Sequence, residues 1–511
     1  MKYCIRLCML TLLLALKGLS QQPGKLNGSQ VLLPNGWKLS PAGSSLPLGD
    51  LPLNIVVSPT KKYLAVTNNG QSTQSIQLID LTTKKILHTQ LVDKSWYGLA
   101  FSKDEQTLFA SGGNDNWILK YTITKGRLLL TDSLKLGNKW PEKISPAGIA
   151  IDDARQLLYT VTRENNHLYI LNLTTKQIQA QLALPAEAYT CLLSPDKKEL
   201  YISIWGGDQI LVVDTEKQQI KESITVGDNP NELCLSRNGQ LLYVANANDN
   251  SVSVINLKQR KVLETLNAAL YPQAPSGSTS NGVALSEDEK TLFIANADNN
   301  CLAVFDVTQP GASRAKGFIP TGWYPTQVRV VGANLYVSNG KGVTSLANPY
   351  GPNPVNVREK VEYQSGDSKK PQEVQYIGGL FKGNLSILRI PTAAQLIQYS
   401  QQVYANTPYN KEKELNPGGE RNNPVPSRVG DPSPIKYVFY IIKENRTYDQ
   451  VLSDMPGGNG DTSLLLFGKT ITPNQHKLAK EFVLLDNFYV DGEVSADGHN
   501  WSMGAYATDY L

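Results

Sequence analysis

The sequence predicts a seven-bladed, all-β propeller followed by the start of an α/β domain with a parallel sheet, and three observations lead to this prediction. The chain has 511 residues, more than one ordinary hydrophobic core accommodates, so at least two domains are expected. Residues 50–395 repeat one pattern of short strand-like segments. After a polar linker the repeat stops, and strand-like segments alternate with helix-like ones.

The first twenty residues have the form of a secretory signal peptide. Lys2 and Arg6 precede an apolar stretch, and the small residues Gly18 and Ser20 suit cleavage near position 20. The stretch is too short to span a bilayer as a final anchor, although an uncleaved anchor is the alternative. We therefore expect a bacterial protein exported to the periplasm or the cell exterior, with no transmembrane span after cleavage of residues 1–20.

The remaining chain is close to neutral. The formal charge of +4 includes Lys2, Arg6 and Lys17 of the signal segment, so +1 remains after its removal. This balance offers no electrostatic basis for binding nucleic acid. Three cysteines remain, an odd number in apolar segments, which favours buried thiols over a disulfide framework: Cys191, Cys234 and Cys301.

A repeat of four short strands organises residues 21–395. Each copy has an apolar strand ending in a polar residue, a turn, and a second strand rich in Tyr, Val and Ala, as in "NELCLSRNGQLLYVANAND". Most copies continue into a third and a fourth strand, which is the pattern of a propeller blade. The segment before the first copy and "GNLSILRIP" (383–391) are predicted to complete the last blade and close the ring. The equivalent strand-end positions are Ser58, Ser102, Asp152, Ser194, Ser236, Ser286 and Val331.

The repeats themselves offer few catalytic side chains. Only His88 and His167 lie among them, in non-equivalent places, which excludes a histidine-rich copper propeller. A lactonase-like propeller enzyme would need a cluster of carboxylates or histidines that the repeats do not display. Trp96, Trp205 and Trp323 recur near strand ends, where they either line the central channel or pack between blades.

Two of the copies identify the kind of propeller. "LYVANANDNSVSVINL" and "LFIANADNNCLAVFDV" resemble the YVTN-type repeats of bacterial surface and periplasmic propellers. The resemblance covers about residues 50–345 and implies the fold without a particular activity, because propellers host many functions.

A polar insertion at about 348–375 interrupts the last blade, and residues 396–434 form a linker dense in Pro, Gly and Asn. A short helix is predicted at 392–402. The last part of the chain, 435–511, then alternates strands and helices, which indicates a parallel sheet. Its predicted elements are a strand at 435–443, a helix at about 447–454, a Gly-rich loop at 457–460, a helix at about 473–482, a strand at 483–490 and a helix near 498.

Polar side chains follow both predicted strands of this last part. Glu444 and Asn445 supply hard oxygen ligands suited to a divalent cation, at the strand end where α/β proteins gather their functional residues. Ser495 comes shortly before a helix, where amide donors favour a phosphate and a bound cation would make the hydroxyl a nucleophile. Alternatively, Glu444 and Asn445 cap a turn and Ser495 is a helix N-cap.

"YVFYIIKENRTYDQVL" (437–452) resembles the opening strand and turn of the phosphoesterase family in the alkaline phosphatase superfamily, which includes acid phosphatases and phospholipases C. That strand ends in Glu-Asn-Arg-(Ser/Thr)-(Phe/Tyr)-Asp in the family, and all six positions match. "LLDNFYVDGEVSADGHNW" (484–501) resembles the family's nucleophile loop. The whole chain resembles a YncE-like propeller fused to such a domain.

The resemblance implies roles for five residues. Glu444 and Asn445 would hold a divalent metal ion (Zn, Ca or Mg), and Ser495 would be the nucleophile. His499 and Asn500 would contact the substrate, although many relatives place Asn three residues after the nucleophile and Asn500 lies five after it.

The function implied is that of an exported, metal-dependent phosphoesterase whose propeller binds an unidentified ligand. Domains of this superfamily need a few hundred residues and further Asp and His ligands, whereas about 75 residues follow the linker here. The segment 435–511 would be the N-terminal part of the catalytic domain, and the chain by itself is not expected to hydrolyse phosphate esters. The alternative is a non-catalytic periplasmic or surface propeller that binds a partner or acts as a scaffold.

Overall fold

The computed structural model of the protein describes residues 23–28, 30–344, 377–409, 423–426, 430–490, 492 and 495–504. The signal peptide predicted at 1–20 and the insertion predicted at 348–375 lie outside these residues, as does much of the linker predicted at 396–434.

The described chain is mostly β-structure, in seven four-stranded antiparallel sheets and one small three-stranded sheet. The strands before the first blade are β1 (Gly24–Lys25), β2 (Val31–Leu32), β3 (Lys38–Leu39) and β4 (Ser44–Asp50). Blades 1 to 3 comprise β5 (Pro52–Val57), β6 (Tyr63–Asn68), β7 (Ser75–Asp80) and β8 (Lys85–Leu91); β9 (Leu99–Phe101), β10 (Thr107–Ser111), β11 (Trp117–Thr124) and β12 (Arg127–Lys135); β13 (Pro146–Asp152), β14 (Leu157–Thr162), β15 (His167–Asn172) and β16 (Ile178–Ala183).

The remaining blades follow the same order. Blades 4 to 6 comprise β17 (Ala188–Leu193), β18 (Glu199–Ile204), β19 (Gln209–Asp214) and β20 (Gln219–Thr225); β21 (Pro230–Leu235), β22 (Leu241–Asn246), β23 (Ser251–Asn256) and β24 (Lys261–Asn267); β25 (Ser280–Leu285), β26 (Thr291–Asn296), β27 (Cys301–Asp306) and β28 (Arg314–Pro320). Blade 7 comprises β29 (Trp323–Val331), β30 (Asn334–Gly342), β31 (Lys382–Arg389) and the early strand β4. The predicted seven-bladed propeller is confirmed.

The ring is closed by β4, which joins the last blade as its outermost strand. It pairs antiparallel with β31, placing Leu46 opposite Leu385 and Ser45 opposite Ser386. Blade 7 also packs against blade 1, because Tyr336 shares one hydrophobic core with Ile55. Closure thus joins the two ends of the propeller chain and removes an exposed sheet edge, as predicted.

Within each blade the strands differ in burial, and the sequence shows why. The second strands β6 and β14 are buried at every position, consistent with their runs of Val, Leu, Tyr and Thr. The fourth strand β8 alternates between exposed and half-buried positions, because successive side chains of an outer strand point to opposite faces of the sheet. The hydrophobic cores lie between neighbouring blades, where β-branched and aromatic residues of adjacent sheets meet.

The serine that marks each repeat shapes the turn between the first and second strands of its blade, which we call the inner turn. In five blades its hydroxyl accepts a hydrogen bond from the amide five residues later, at 2.9 to 3.0 Å. In four of them it also donates to an Asp or Asn two residues later. Asp152 takes this place in blade 3, accepting from the backbone amide and the guanidinium of Arg155. The repeated polar position is therefore a turn-forming element.

A helix follows the last blade. Helix α1 (Ala393–Asn406) begins at a capping box formed by Thr392 and Gln395 and ends four residues beyond the helix predicted at 392–402. Its Leu396 and Val403 are buried against the outer strand of blade 6 and residues near β3, so α1 belongs structurally to the propeller.

The described residues from 430 onward contain three short α-helices. Residues 430–490 contain no strand. The helices are α2 (Tyr448–Leu452), α3 (Pro473–Glu481) and α4 (Ser495–Gly504), close to the helices predicted. The predicted strands at 435–443 and 483–490 are wrong: both segments are irregular, and Phe439 and Val490 are 91% and 83% exposed. A parallel strand exists only through pairing with neighbours on either side, and neither segment has such a neighbour among the described residues. The expected parallel sheet is therefore not observed.

Two further findings concern the described residues only. Cys191, Cys234 and Cys301 are free thiols, of which the first and last are buried. None of the helices in the described ranges is long and apolar enough to cross a membrane.

Candidate functional sites

The turn that carries Glu444 and Asn445 is positioned by the residues that follow it. Thr447 caps α2 through a capping box with Gln450, so the capping role falls to Thr447 rather than to Glu444 or Asn445. The guanidinium of Arg446 lies 5.4 Å from the ring centroid of Phe467 and donates to the Asn445 carbonyl at 2.9 Å. The carboxylate and the amide are thereby left outside the helix-capping network.

Two predicted site residues that are far apart in sequence lie close together. The Nε2 atom of His499 is 3.2 Å from Oε2 of Glu444, and each side chain is 46% exposed. Ser495 is the first residue of α4 and lies four residues before His499, so both project from the same face of the helix. The structure thus brings Glu444 to the helix that carries the predicted nucleophile.

Asn500 makes a different contact. Its side-chain amide donates to the carbonyl of Ala496 on its own helix at 2.8 Å. Asn445 and Asn500 are therefore near the paired residues in sequence, but within the described structure the side chain of neither residue is hydrogen-bonded to Glu444, His499 or Ser495.

Loop contacts hold together the two segments that resemble the phosphoesterase family, 437–452 and 484–501. The amide of Asn459, in the Gly-rich loop, donates to Asp486 at 2.7 Å, and its side chain contacts Asn487. The amide of Asp461 donates to Asp449 of α2, also at 2.7 Å. The loop after α2 thus links segment 437–452 to the segment that leads into α4.

The described residues do not complete a metal site. Among them, no group of three or more His, Cys, Asp or Glu side chains is arranged to hold a metal ion. Glu444 and Asn445 offer two oxygen ligands, whereas divalent cations in proteins take four to eight donors. Glu444 is also engaged by His499. The metal ligation by Glu444 and Asn445 remains a prediction.

The central channel of the propeller contains a second polar cluster. Four residues before the inner-turn residue, each blade has a residue at its inner edge, next to the channel. In blades 1 to 7 these residues are Asn54, Gly98, Gly148, Thr190, Glu232, Gly282 and Gln327. At three of these, a Cβ would collide with the next blade: Gly98 with Ala147, Gly148 with Thr190 and Gly282 with Gln327. The inner strands therefore approach closely where the residue is glycine, and polar side chains fill the other positions.

Glu232 is the only carboxylate at these positions, and it is paired across the channel. Its Oε1 is 2.8 Å from Nη2 of Arg329, and its Oε2 accepts from the Gln327 amide at 2.9 Å. Gln327 also donates to the Tyr97 hydroxyl at 3.1 Å and accepts from Arg329 Nη1 at 2.8 Å. Asn54 completes the network by donating to the Tyr97 carbonyl. Residues of blades 1, 2, 5 and 7 thus meet in the channel.

This cluster is deeply buried. Glu232 is 6% exposed and Gln327 is 1% exposed. Burial raises the pKa of the Glu232 carboxyl, although Arg329 and Gln327 act in the opposite direction. A buried carboxylate held by a single guanidinium is a common feature of functional sites.

A cavity of about 500 Å³ opens beside the Glu232–Arg329 pair, and we call it the channel cavity. Its walls come from the inner strands of blades 4 to 7 and include Leu192, Leu233, Leu235, Val283 and Leu285. Lys61 and Glu287 also line it, and their side chains are 50% and 43% exposed, so this ion pair marks the mouth. The more buried Glu232 and Arg329 mark the inner end.

The sequence contained the signal for this cluster. Aligning the seven repeats on their turn residue places Glu232 as the one carboxylate four positions before the turn, and Arg329 as the one charged residue two positions before it. The repeat pattern does not show that these positions in blades 5 and 7 face each other. A search for histidine or carboxylate clusters within one repeat could not find a pair assembled across the channel.

Two of the three tryptophans near strand ends pack against hydrophobic cores. Trp96 packs against the core between blades 3 and 4, which is one of its two expected roles. Trp323 packs instead against Val31, Leu33 and Leu39, at the small sheet. Trp205 lies in a short 3-10 turn after β18, where its carbonyl accepts from the Asn229 side chain at 3.1 Å.

Comparison with known proteins agrees with the fold. Residues 178–276 match the family model described as lactonase, 7-bladed beta-propeller. The uncharacterized protein YncE of Salmonella typhimurium and its counterpart in Salmonella typhi are each 22% identical over 195 residues, which is 38% of this chain and 54% of theirs. The chain thus spans about half the length of these curated relatives. Hydrazine synthase of Kuenenia stuttgartiensis matches with a TM-score of 0.48 and 16% identity over 59% of this chain and 95% of the matched chain.

The family model covers the last strand of blade 3 and all of blades 4 and 5, including Glu232, and the YncE relatives are similar in sequence to part of the chain. Together with seven four-stranded sheets closed by β4, these matches lead to one conclusion. The chain carries a YncE-like, seven-bladed β-propeller.

Proposed function

We propose that the chain belongs to an exported phosphate-ester hydrolase, of the phosphatase or phospholipase C type, whose active site begins in the C-terminal segment. The observation that carries the proposal is the 3.2 Å contact between Glu444 and His499. It joins the two segments in which the family resemblance places the metal ligands and the nucleophile, although they are 55 residues apart.

In this reaction the hydroxyl of Ser495 attacks phosphorus. A bond forms between Oγ and phosphorus, the ester bond breaks, and the leaving alcohol takes a proton. Water then attacks the phosphoserine, releasing phosphate and returning a proton to Ser495. His499, one helical turn along α4 from Ser495, is proposed to accept the hydroxyl proton.

The proposal includes a divalent cation (Zn, Ca or Mg) held in part by Glu444 and Asn445. Such an ion would supply positive charge at the phosphoryl oxygens. The described residues provide only two of its ligands, and Glu444 would have to exchange its contact with His499 for the ion. Asn500 and His499 are proposed to contact the substrate.

The test is hydrolysis of p-nitrophenyl phosphate by the intact protein expressed from its natural reading frame, with and without a chelator. Ser495→Ala is expected to lower kcat by more than about 100-fold, because no other group replaces the nucleophile. Ser502→Ala is the matched control: it removes a hydroxyl from the same helix that contacts only the His499 carbonyl, at 3.1 Å. Full activity in Ser495→Ala would refute the assignment.

Export is proposed from residues 1–20, which precede the described chain. The second candidate function is that of a non-catalytic propeller that binds a ligand in the periplasm or at the cell surface. The channel cavity with its buried ion pair favours it, and it is compatible with either outcome for Ser495.

A further inference from the structure

The Glu232–Arg329 pair is poorly explained as a stabilising device. Removing two charges from water costs several kcal/mol per ion, and such pairs can often be replaced by apolar residues without loss of stability. The corresponding positions of the other blades are occupied by neutral residues, such as Gly282 for Glu232 and Ala284 for Arg329. One carboxylate and one guanidinium thus occupy positions that carry no charge in the other blades.

The channel cavity beside this pair has the size of a small-molecule site. Its volume of about 500 Å³ lies within the range of ligand pockets. Six of its fifteen lining residues are charged, and its apolar lining residues, such as Leu233 and Val283, also pack into the cores between blades. The Glu232–Arg329 pair forms the inner end.

Equal numbers of positive and negative side chains line the channel cavity, and this balance limits the charge of the ligand that it can bind. The three cations are Lys61, Arg237 and Arg329, and the three anions are Glu232, Glu287 and Glu289. A purely anionic ligand at the inner end would approach Glu232, and a purely cationic one would approach Arg329, so each would meet like charge. A ligand carrying both charges avoids this repulsion.

We propose that the channel cavity binds a small zwitterion of the α-amino-acid type, with its ammonium group on Glu232 and its carboxylate on Arg329. This site goes beyond the proposed hydrolase function and does not depend on Ser495.

Insertion of such a ligand breaks only one contact of the pair, the 2.8 Å bond between Arg329 Nη2 and Glu232 Oε1. Glu232 keeps the Gln327 amide as a donor. Arg329 Nη1 keeps the Gln327 side-chain oxygen and the Val328 carbonyl, both within 2.9 Å. Both charges thus remain oriented while the ligand takes the place of the lost contact.

The test is calorimetric titration of the intact protein with L-leucine, 4-methylpentanoate and 3-methylbutylamine, which share one apolar chain and differ in charge. L-Leucine is expected to bind with a Kd below about 1 mM, and the two singly charged probes at least about tenfold more weakly, because each leaves one buried charge unpaired. Absence of leucine binding at 10 mM, about ten times that limit, would overturn the proposal. Equal binding of 4-methylpentanoate would also overturn it.

Two variants locate the site. Glu232→Gln is isosteric and is expected to weaken leucine binding at least about tenfold. Its matched control is Glu222→Gln, which neutralises a carboxylate on outer strand β20, where Glu222 contacts Arg260 at 2.8 Å. Arg329→Gln removes the guanidinium proposed to hold the ligand carboxylate and is expected to weaken leucine binding to a similar degree. Equal weakening by Glu222→Gln, or full binding by Arg329→Gln, would contradict the location, and the three wild-type titrations decide the ligand class if a variant does not fold.

Discussion

His476 shows how a single buried side chain can fix the short C-terminal helices. It is 4% exposed, its Nε2 lies 2.7 Å from Asp454 Oδ1, and its Nδ1 lies 2.8 Å from the Thr472 carbonyl. The imidazole thus joins the start of α3 to the end of the turn after α2. Thr472 is the N-cap residue of α3 by position, and its hydroxyl donates to the Phe467 carbonyl of the preceding loop rather than capping a helix amide.

The titration of His476 is the first prediction. Burial lowers its pKa, but the hydrogen bond and charge of Asp454 raise it, and the net pKa is raised. The same bond lowers the pKa of Asp454. A raised His pKa contributes stability that is complete below about pH 6.5 and is lost as pH rises through the folded value. The lowered Asp pKa contributes above about pH 4 and is lost on acidification, so the pair stabilises most between these limits.

NMR titration of the histidine Cε1 protons checks this prediction. His476 is expected to titrate above pH 6.5, whereas His88 is an internal contrast because burial and Arg127 lower its pKa. Asp454→Asn is expected to lower the His476 midpoint and leave His88 unchanged. A His476 midpoint unaffected by Asp454→Asn would show that the carboxylate does not set it.

At the scale of elements, the inner turns explain why the repeat could be read from sequence. Each of blades 1 to 6 contains its own strand partners within about 45 residues, so the local pattern of strand, polar turn and strand is sufficient. The segments 435–443 and 483–490 were misread because their apolar, β-branched composition is also that of a parallel strand. Whether such a segment becomes a strand depends on neighbours that its own sequence does not contain.

The inner turn of blade 6 provides the second prediction. The Ser286 hydroxyl accepts from the Thr291 amide at 3.0 Å and donates to Asp288 at 2.6 Å, so Ser286→Ala leaves two groups without that partner. We expect a loss of about 1 to 3 kcal/mol in the free energy of unfolding, measured by urea denaturation. Ser223→Ala, at an exposed position of β20, is the control and is expected to change it by less than about 0.5 kcal/mol. Equal effects of both substitutions would argue against a turn-forming role.

At the scale of the whole molecule, closure by β4 was predictable because an incomplete last repeat and an unassigned N-terminal segment complement each other. The pairing of Glu232 with Arg329 was not predictable in the same way, since it depends on which blades face each other across the channel. The contact between Glu444 and His499 was predictable in part. The sequence identified both residues as site candidates, but only the structure shows that they are 3.2 Å apart.

Ring closure gives the third prediction. Deleting residues 23–50 removes β4 and leaves blade 7 with three strands, exposing the edge of β31. We expect a lower Tm and a broader transition in thermal melts. Deleting residues 23–43 is the control, because it removes the small sheet but retains β4, and it is expected to lower the Tm less. Equal effects of the two deletions would show that β4 does not close the ring.

The central claim is that Ser495 acts as a nucleophile beside the paired Glu444 and His499. It is tested most directly by incubating the intact natural protein with p-nitrophenyl phosphate, quenching in acid and locating any phosphoryl group by peptide mass spectrometry. We predict a phosphoserine at Ser495, absent in Ser495→Ala and present in Ser502→Ala. Turnover of the ester with a phosphoryl group on another residue, or with none on the protein, would contradict the claim.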